Sequence, residues 1–358
     1  MLTQYQEYNY YRYEVQDFMQ HFNEYTSIFV NDCAHRNHKK GLNDLQKSLF
    51  YHRIGGGKKC TSLIELHCGF DIETTKINDN LTFCYGWQFS INNIVVWGHK
   101  LDEVVTLFDF LETQLKTSKS TRLIVWVANL GYEWQFIKKY LNVTKSFLKE
   151  EREPVEITHN DFIILKECLS WGGSLEKLAK DYTPLRKLKG DLDYSVYRES
   201  YEEFTSEQEW RYIDFDVLIL SEFGKWYFKT YIIGNKTKPV TIQSAIRNNL
   251  YNASTEEERA RVQNCFLKDY RDYLTLVNNV YRGGYTHASK MMIGENIRGL
   301  WSYDFTSSYP SVMLCEKYPY KFTRVIDKKK WNEKHILSNT NDNAYIIHCI
   351  FTNFIKVI

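Results

Sequence analysis

No C-x-x-C pair occurs among the eight cysteines, Cys33, Cys60, Cys68, Cys84, Cys168, Cys265, Cys315 and Cys349, which lie scattered along the chain. That spacing argues against a zinc framework and reads as reduced thiols in a cytosolic protein. The opening stretch MLTQYQEYNYYRYEVQ has neither the basic region nor the apolar core of a secretory signal. No apolar run approaches the ~20 residues of a membrane-spanning helix, and there is no internal repeat or low-complexity tract. A large charge of one sign is also missing. With a net charge of +2, the molecule is no polycation, and any nucleic-acid surface must be a local patch. What is present is an ordinary globular composition, 43% hydrophobic and 25% charged, at a length of 358 residues that suggests two or three domains. The 27 Tyr, 21 Phe and 9 Trp can stack on unpaired bases or fill cores, so composition alone does not decide function.

Residues 1–62 are polar and aromatic, read as mostly helical, and end at the turn Gly55-Gly56-Gly57-Lys58-Lys59, a linker candidate. From Ser62 short apolar runs alternate with helical periodicity. SLIELHCGFDIE, LTFCYGWQFS and NNIVVWGHK read as strands, and LDEVVTLFDFLETQLK as a helix with Val104, Val105, Phe108 and Leu111 on one face. LIVWVANL is an apolar strand, YEWQFIKKYL a helix, and DFIILKECL another strand. SEQEWRYIDFDVLILSEFGKWYF is a long helix. This order predicts an α/β layer with helices on the sheet. A connector follows from about residue 235, then a helix near Leu267–Tyr281 and the segment WSYDFTSSYPSVM.

Three acidic pieces stand out. In GFDIETT, Asp71 and Glu73 lie two apart on a strand, so both carboxylates leave the same face. Like charges that close repel unless a cation lies between them, and paired carboxylates are oxygen ligands for a divalent metal. In ANLGYEWQF, Asn129, Tyr132 and Glu133 fall at a strand-to-helix junction. In RYIDFDVLIL, Tyr212 and Asp216 are four apart on one helical face. Each piece alone also fits a packed Tyr or a solvated acid.

Together and in this order they resemble the Exo I, Exo II and Exo III motifs of the DEDD-type proofreading exonucleases, in the subclass bearing a tyrosine. The resemblance implies an RNase H-like α/β domain over 63–235. It also implies Mg²⁺ or Mn²⁺ held by Asp71, Glu73, Glu133 and Asp216, with Tyr212 positioning or activating a water. Two metals about 4 Å apart would then activate the attacking water and stabilise the leaving 3′ oxygen. Glu133 departs from the family, which usually has Asp there. Glu keeps the carboxylate but is one methylene longer, so activity rests on that difference.

The segment SLEKLAKDYTPLRKLKGDLDY narrows the resemblance to the protein-primed family B DNA polymerases of phages and linear plasmids. Ser174 and Leu175 match a motif that contacts single-stranded DNA. Lys189, opening KGDL, matches a lysine that assists at the scissile phosphate, as a cation beside developing negative charge should. Tyr194, Asn129 and Tyr132 fall where that branch binds the frayed 3′ end. In YRGGYTHA, Tyr281, Arg282, Gly283 and Gly284 match the Y-x-G-G motif between nuclease and polymerase domains, where glycines let the backbone approach a phosphate. YDFTSSYPSVM resembles polymerase motif A, with Ser308 in place of the usual Leu. Asp304 would hold metals, Ser307 would lie near the nucleotide phosphates, and Tyr309 would exclude a 2′-hydroxyl.

After Asp304 no D-T-D motif or nucleotide-gripping lysine motif follows, so the palm, 236–358, is expected to be incomplete and unable to polymerise alone. The expected partners are single-stranded and primer-template DNA and a terminal protein, with dNTP bound only in a complete polymerase and no membrane contact. The expected location is the cytoplasm, that of the host if phage-encoded. Two other readings stay open on the sequence: an inactive single-stranded-DNA-binding module, and one half of a split polymerase.

Overall fold

In the computed structural model, structure is described for residues 8–29, 43–55, 60–78, 81–150, 152–188, 196–204, 206–234 and 237–260, and for isolated positions from 294 on together with 305–316. The chain divides into two compact units, residues 1–248 and 249–358.

The first unit opens with strand β1 (Tyr11–Glu14) and short helices α1 (Val15–Gln20), α2 (Phe22–Phe29) and α3 (Asp44–Ser48), then strands β2 (Tyr51–Ile54) and β3 (Thr61–Ile64). The nuclease-like pattern follows as β4 (Cys68–Asn78), β5 (Leu81–Ile91), β6 (Ile94–Gly98), α4 (Leu101–Leu115), β7 (Thr121–Val127) and α5 (Leu130–Ile137). Next come β8 (Val143–Glu150), β9 (Glu153–His159), β10 (Ile163–Glu167), α6 (Leu169–Gly172), α7 (Leu175–Tyr182), α8 (Glu207–Tyr227) and α9 (Ile242–Ala253).

Strands β4, β5 and β6 form an antiparallel meander, and β7 and β10 add to it parallel to β4, giving the central order β6-β5-β4-β7-β10. This is the RNase H-like arrangement expected from the sequence motifs. Its layers follow from side-chain alternation. In β7, Leu123, Val125 and Val127 enter a core beneath α4, while Ile124 and Trp126 enter a second core beneath α7 and α8. Helix α4 contributes Val104, Leu107, Phe108 and Leu111 to the first core. Helix α8 starts at a capping box, with Ser206 accepting from the Glu209 amide and Glu209 reaching back to the Ser206 amide, and runs 21 residues.

Three features differ from the sequence expectation. Residues 1–62, read as mostly helical, also supply strands: β1 extends the sheet parallel to β6, and β2 and β3 pair with each other, β3 also with β7. The polar-aromatic alternation of YNYYRYE is a strand pattern, at odds with the helical reading. An unforeseen hairpin, β8–β9, extends the other edge through β10. Its outer strand is exposed throughout, so it carries little apolar periodicity to detect. The stretch read as a connector contains helix α9. The helix expected near Leu267–Tyr281 lies outside the described residues. In the second unit, the described part includes a short exposed helix, Ser308–Cys315. Among the described residues no helix is long and apolar enough to cross a membrane.

Candidate active site

The site is built on the second face of β4. Cys68, Phe70 and Ile72 point into the apolar core below α4, which leaves Gly69, Asp71, Glu73 and Thr75 on the side of α8. Gly69 allows the close approach: a Cβ there would lie 2.6 Å from Leu220 Cβ and 2.6 Å from the Val217 carbonyl oxygen. The helix is also fastened at Ser90, whose hydroxyl donates to the Val217 carbonyl at 2.6 Å. Asp216 precedes that contact by one residue and Tyr212 lies one turn earlier, so both are carried to the same region as Asp71 and Glu73. Glu133 arrives from the first turn of α5, at the end of β7, with a side chain 3% exposed.

The four carboxyls affect one another electrostatically. Asp71 is pushed up to about 7, by burial first and the Asp216 charge second. Glu73 rises well above the ordinary carboxylate range through burial, Asp71 and Asp216. Glu133 rises likewise, through burial first and the Asp71 charge second. Asp216 is raised by burial, with Lys187 opposing. The second Glu133 oxygen, Oε2, is buried and has no hydrogen-bond partner. A divalent cation bound here would relieve both the repulsion and the unpartnered oxygen, so the oxygen chemistry of these residues fits such an ion.

Among the described residues, however, no three Asp, Glu, His or Cys side chains converge into a ready metal cage. Lys187 lies against one of the four acids. Its ammonium lies 2.5 Å from both Asp216 oxygens and 4.4 Å above the Tyr212 ring, taking up the Asp216 charge internally.

On the rim, Asn129 is exposed at the N-cap of α5 with no side-chain cap bond. Tyr132 is 40% exposed, and its hydroxyl shares a 2.8 Å hydrogen bond with Thr74 Oγ1, one residue from Glu73. Ser174 is exposed and caps α7, accepting from the Lys177 amide at 3.2 Å, while Leu175 packs half-buried on the second core. Ser307 opens the short helix Ser308–Cys315 with left-handed backbone, φ 54°, and Tyr309 is exposed. Lys189, Tyr194, Tyr281, Arg282, Gly283, Gly284 and Asp304 lie outside the described residues.

Sequence reasoning missed three contributors. Lys187 is one, two residues before the lysine it favoured. Glu167, pushed up to about 7 by burial, accepts from the Leu130 and Leu169 amides at 2.7 Å each and so orients the first turn of α5. Buried Arg198 bonds Glu209 at 3.1 Å and offsets the charge of Glu73. The signal for Glu167 was available, since a carboxylate ending an apolar strand needs a partner. Nothing local marks Lys187 or Arg198.

Residues 189–356 match the family of organellar and viral type B DNA polymerases. The matched segment holds Tyr212, Asp216 and the YDFTSSYP motif. Asp71, Glu73 and Glu133 precede the match. No curated protein matches the sequence. Solved structures similar to it include Phi29 DNA polymerase in a post-translocation binary complex with primer-template DNA, at 17% identity and TM-score 0.48 over 63% of this chain and 41% of that one. The same polymerase with single-stranded DNA gives 17% and 0.46, again over 63% and 41%. Its ternary complex with primer-template DNA and nucleotide gives 17% and 0.44 over 63% and 40%. The chain thus spans about two fifths of the length of these polymerases.

Proposed function

We propose that the first unit is a metal-dependent 3′–5′ exonuclease acting on single-stranded DNA, as the proofreading part of a protein-primed type B polymerase. The observation that carries this reading is that Asp71, Glu73, Glu133 and Asp216, carried by β4, α5 and α8, are each held above their ordinary protonation range, with Asp71 interacting electrostatically with Asp216, Glu73 and Glu133. Gathering four acids is costly for a fold that has no use for them. The donor set is all oxygen, which suits Mg²⁺ or Mn²⁺. When bound, such ions supply an activated water and charge stabilisation for a departing 3′ oxygen.

The chain's own residues do the rest. Tyr212 presents its phenol beside Asp216, where it orients the water that attacks the terminal phosphodiester. Exposed Tyr132 offers a ring for stacking the last base, and Asn129 offers an amide for hydrogen bonding it. Ser174 and Leu175, with Tyr194, hold the strand further back, and Lys189 adds positive charge near the phosphate. The polymerising part rests on Asp304 for metal, on Ser307 and Tyr309 for the nucleotide, and on the Tyr281-to-Gly284 motif for passing primer-template DNA between sites. A terminal protein as primer, a dNTP as substrate and replication in a host cytoplasm belong to the same reading.

One observation favours a second reading. With Lys187 paired to Asp216, the site could bind DNA without cutting it. Incubating the chain with 5′-labelled single strands and Mg²⁺ or Mn²⁺ separates the two. Stepwise shortening that EDTA stops, and that an Asp71→Ala/Glu73→Ala double variant lacks, supports the nuclease. Strands that are retained on the protein but stay full length under both metals refute it.

A further inference from the structure

The segment ahead of the first acidic motif has no part in the chemistry proposed above, yet it grips the helix that carries half of the site. Alternate residues Tyr8, Tyr10 and Arg12 share one side of the extended segment leading into β1. Tyr8 donates to Glu222 at 2.9 Å, Tyr10 donates to Asp214 Oδ2 at 2.8 Å, and Arg12 bonds the same oxygen through Nε at 2.8 Å and through a terminal nitrogen at 2.6 Å. Arg12 continues to Glu207 at 2.8 Å and lies 4.8 Å over the Trp210 ring. The three acids, Glu207, Asp214 and Glu222, are seven and eight residues apart, two helical turns each, so they form one stripe along α8. The Asp214 side chain is 0% exposed, and its other oxygen accepts from Gln88 of β5 at 3.3 Å.

Apolar packing of α8 on the sheet is non-directional, so its position along the axis depends on directional contacts. Ser90 and Ser221 supply them in its C-terminal half, and Arg12 and Tyr10 supply them at Asp214, beside the site residues. The Arg12–Asp214 contact is directional and lies between Tyr212 and Asp216 in sequence. We infer that Arg12 is a positioning residue of the nuclease site, with β1 acting as a clamp that fixes the axial register of α8 and hence the placement of Tyr212 and Asp216. The inference rests on the nuclease reading.

Arg12→Met alone would strand a buried carboxylate and lower stability whatever its role. The informative protein is Arg12→Met/Asp214→Asn, which removes both charges while keeping the Arg stem, an amide oxygen to accept from Tyr10 and an amide NH₂ that a flipped Gln88 amide can accept from. The measurements are the thermal midpoint, Mn²⁺ affinity by calorimetry, and kcat and KM on a labelled single strand. The expected double variant melts close to the wild type, with kcat lower by about tenfold to a hundredfold, weaker Mn²⁺ binding and an unchanged KM. A double variant that matches the wild type in kcat and Mn²⁺ affinity overturns the inference while leaving the nuclease intact. A wild type that neither binds Mn²⁺ nor shortens DNA overturns the nuclease reading and this inference with it.

Discussion

The two faces of strand β4 both pack against helices over most of its first half, and they differ in almost everything else. On one face Cys68, Phe70 and Ile72 pack into the core below α4 and need no partner beyond neighbouring carbon. On the other, Gly69 lets α8 come close, the Asp216 charge raises both Asp71 and Glu73, and the Asp71 charge raises Glu73 and Glu133. The first face stabilises the fold by its own burial. The second is tolerated by it, eased by Lys187 at Asp216 and by Arg198 near Glu73. One strand therefore holds a face that stabilises the fold and a face that costs it stability.

The contrast breaks most visibly at Phe70. Phe70→Ala empties a fully buried position and should cost about 3–5 kcal/mol in chemical denaturation. An unchanged midpoint would mean the first face does not hold the sheet. Next in size is Tyr132→Ala at the rim of the second face. Losing one stacking ring should weaken single-strand binding by about 1–3 kcal/mol, read by fluorescence anisotropy, with little change in melting. Third, and opposite in sign to Phe70→Ala, Glu73→Gln should raise the stability of the metal-free protein by about 0.5–2 kcal/mol near pH 8 while removing nuclease activity. A destabilised Glu73→Gln would show that the carboxylate is a structural group.

The pH dependence sharpens the same point. Asp71 is held near 7, above the value of about 3.9 expected in the unfolded chain. The folded protein therefore keeps a proton that the unfolded one releases. The resulting stability is fully present below about pH 4 and is lost as pH rises through about 7. Melting followed across that range without metal should show a decline that Asp71→Asn flattens.

Much of this architecture is legible in the amino-acid sequence. The meander, α4, β7, α5 and α8 follow from period-2 and period-3.6 apolar spacing, as do the carboxylate pair of D-x-E on a strand and the phenol–carboxylate pair of Y-x-x-x-D on a helix. What is not legible depends on distance in sequence. Nothing near Arg12 announces that it will meet Asp214, or near Lys187 that it will meet Asp216. Such pairs are set by how the sheet and helix pack, not by local pattern. The β8–β9 hairpin escapes for another reason, because a strand exposed on both faces has no alternation to find.

The central claim, that the second face of β4 is a divalent-cation site, is tested most directly by the thermal midpoint with and without Mn²⁺ at about pH 8, comparing the wild type with Asp71→Asn/Glu73→Gln. A site that binds the folded state at a hundredfold excess over its dissociation constant adds about 2.7 kcal/mol. The account predicts a clear upward shift for the wild type and almost none for the variant. Equal shifts in both, or no shift in either, would contradict it.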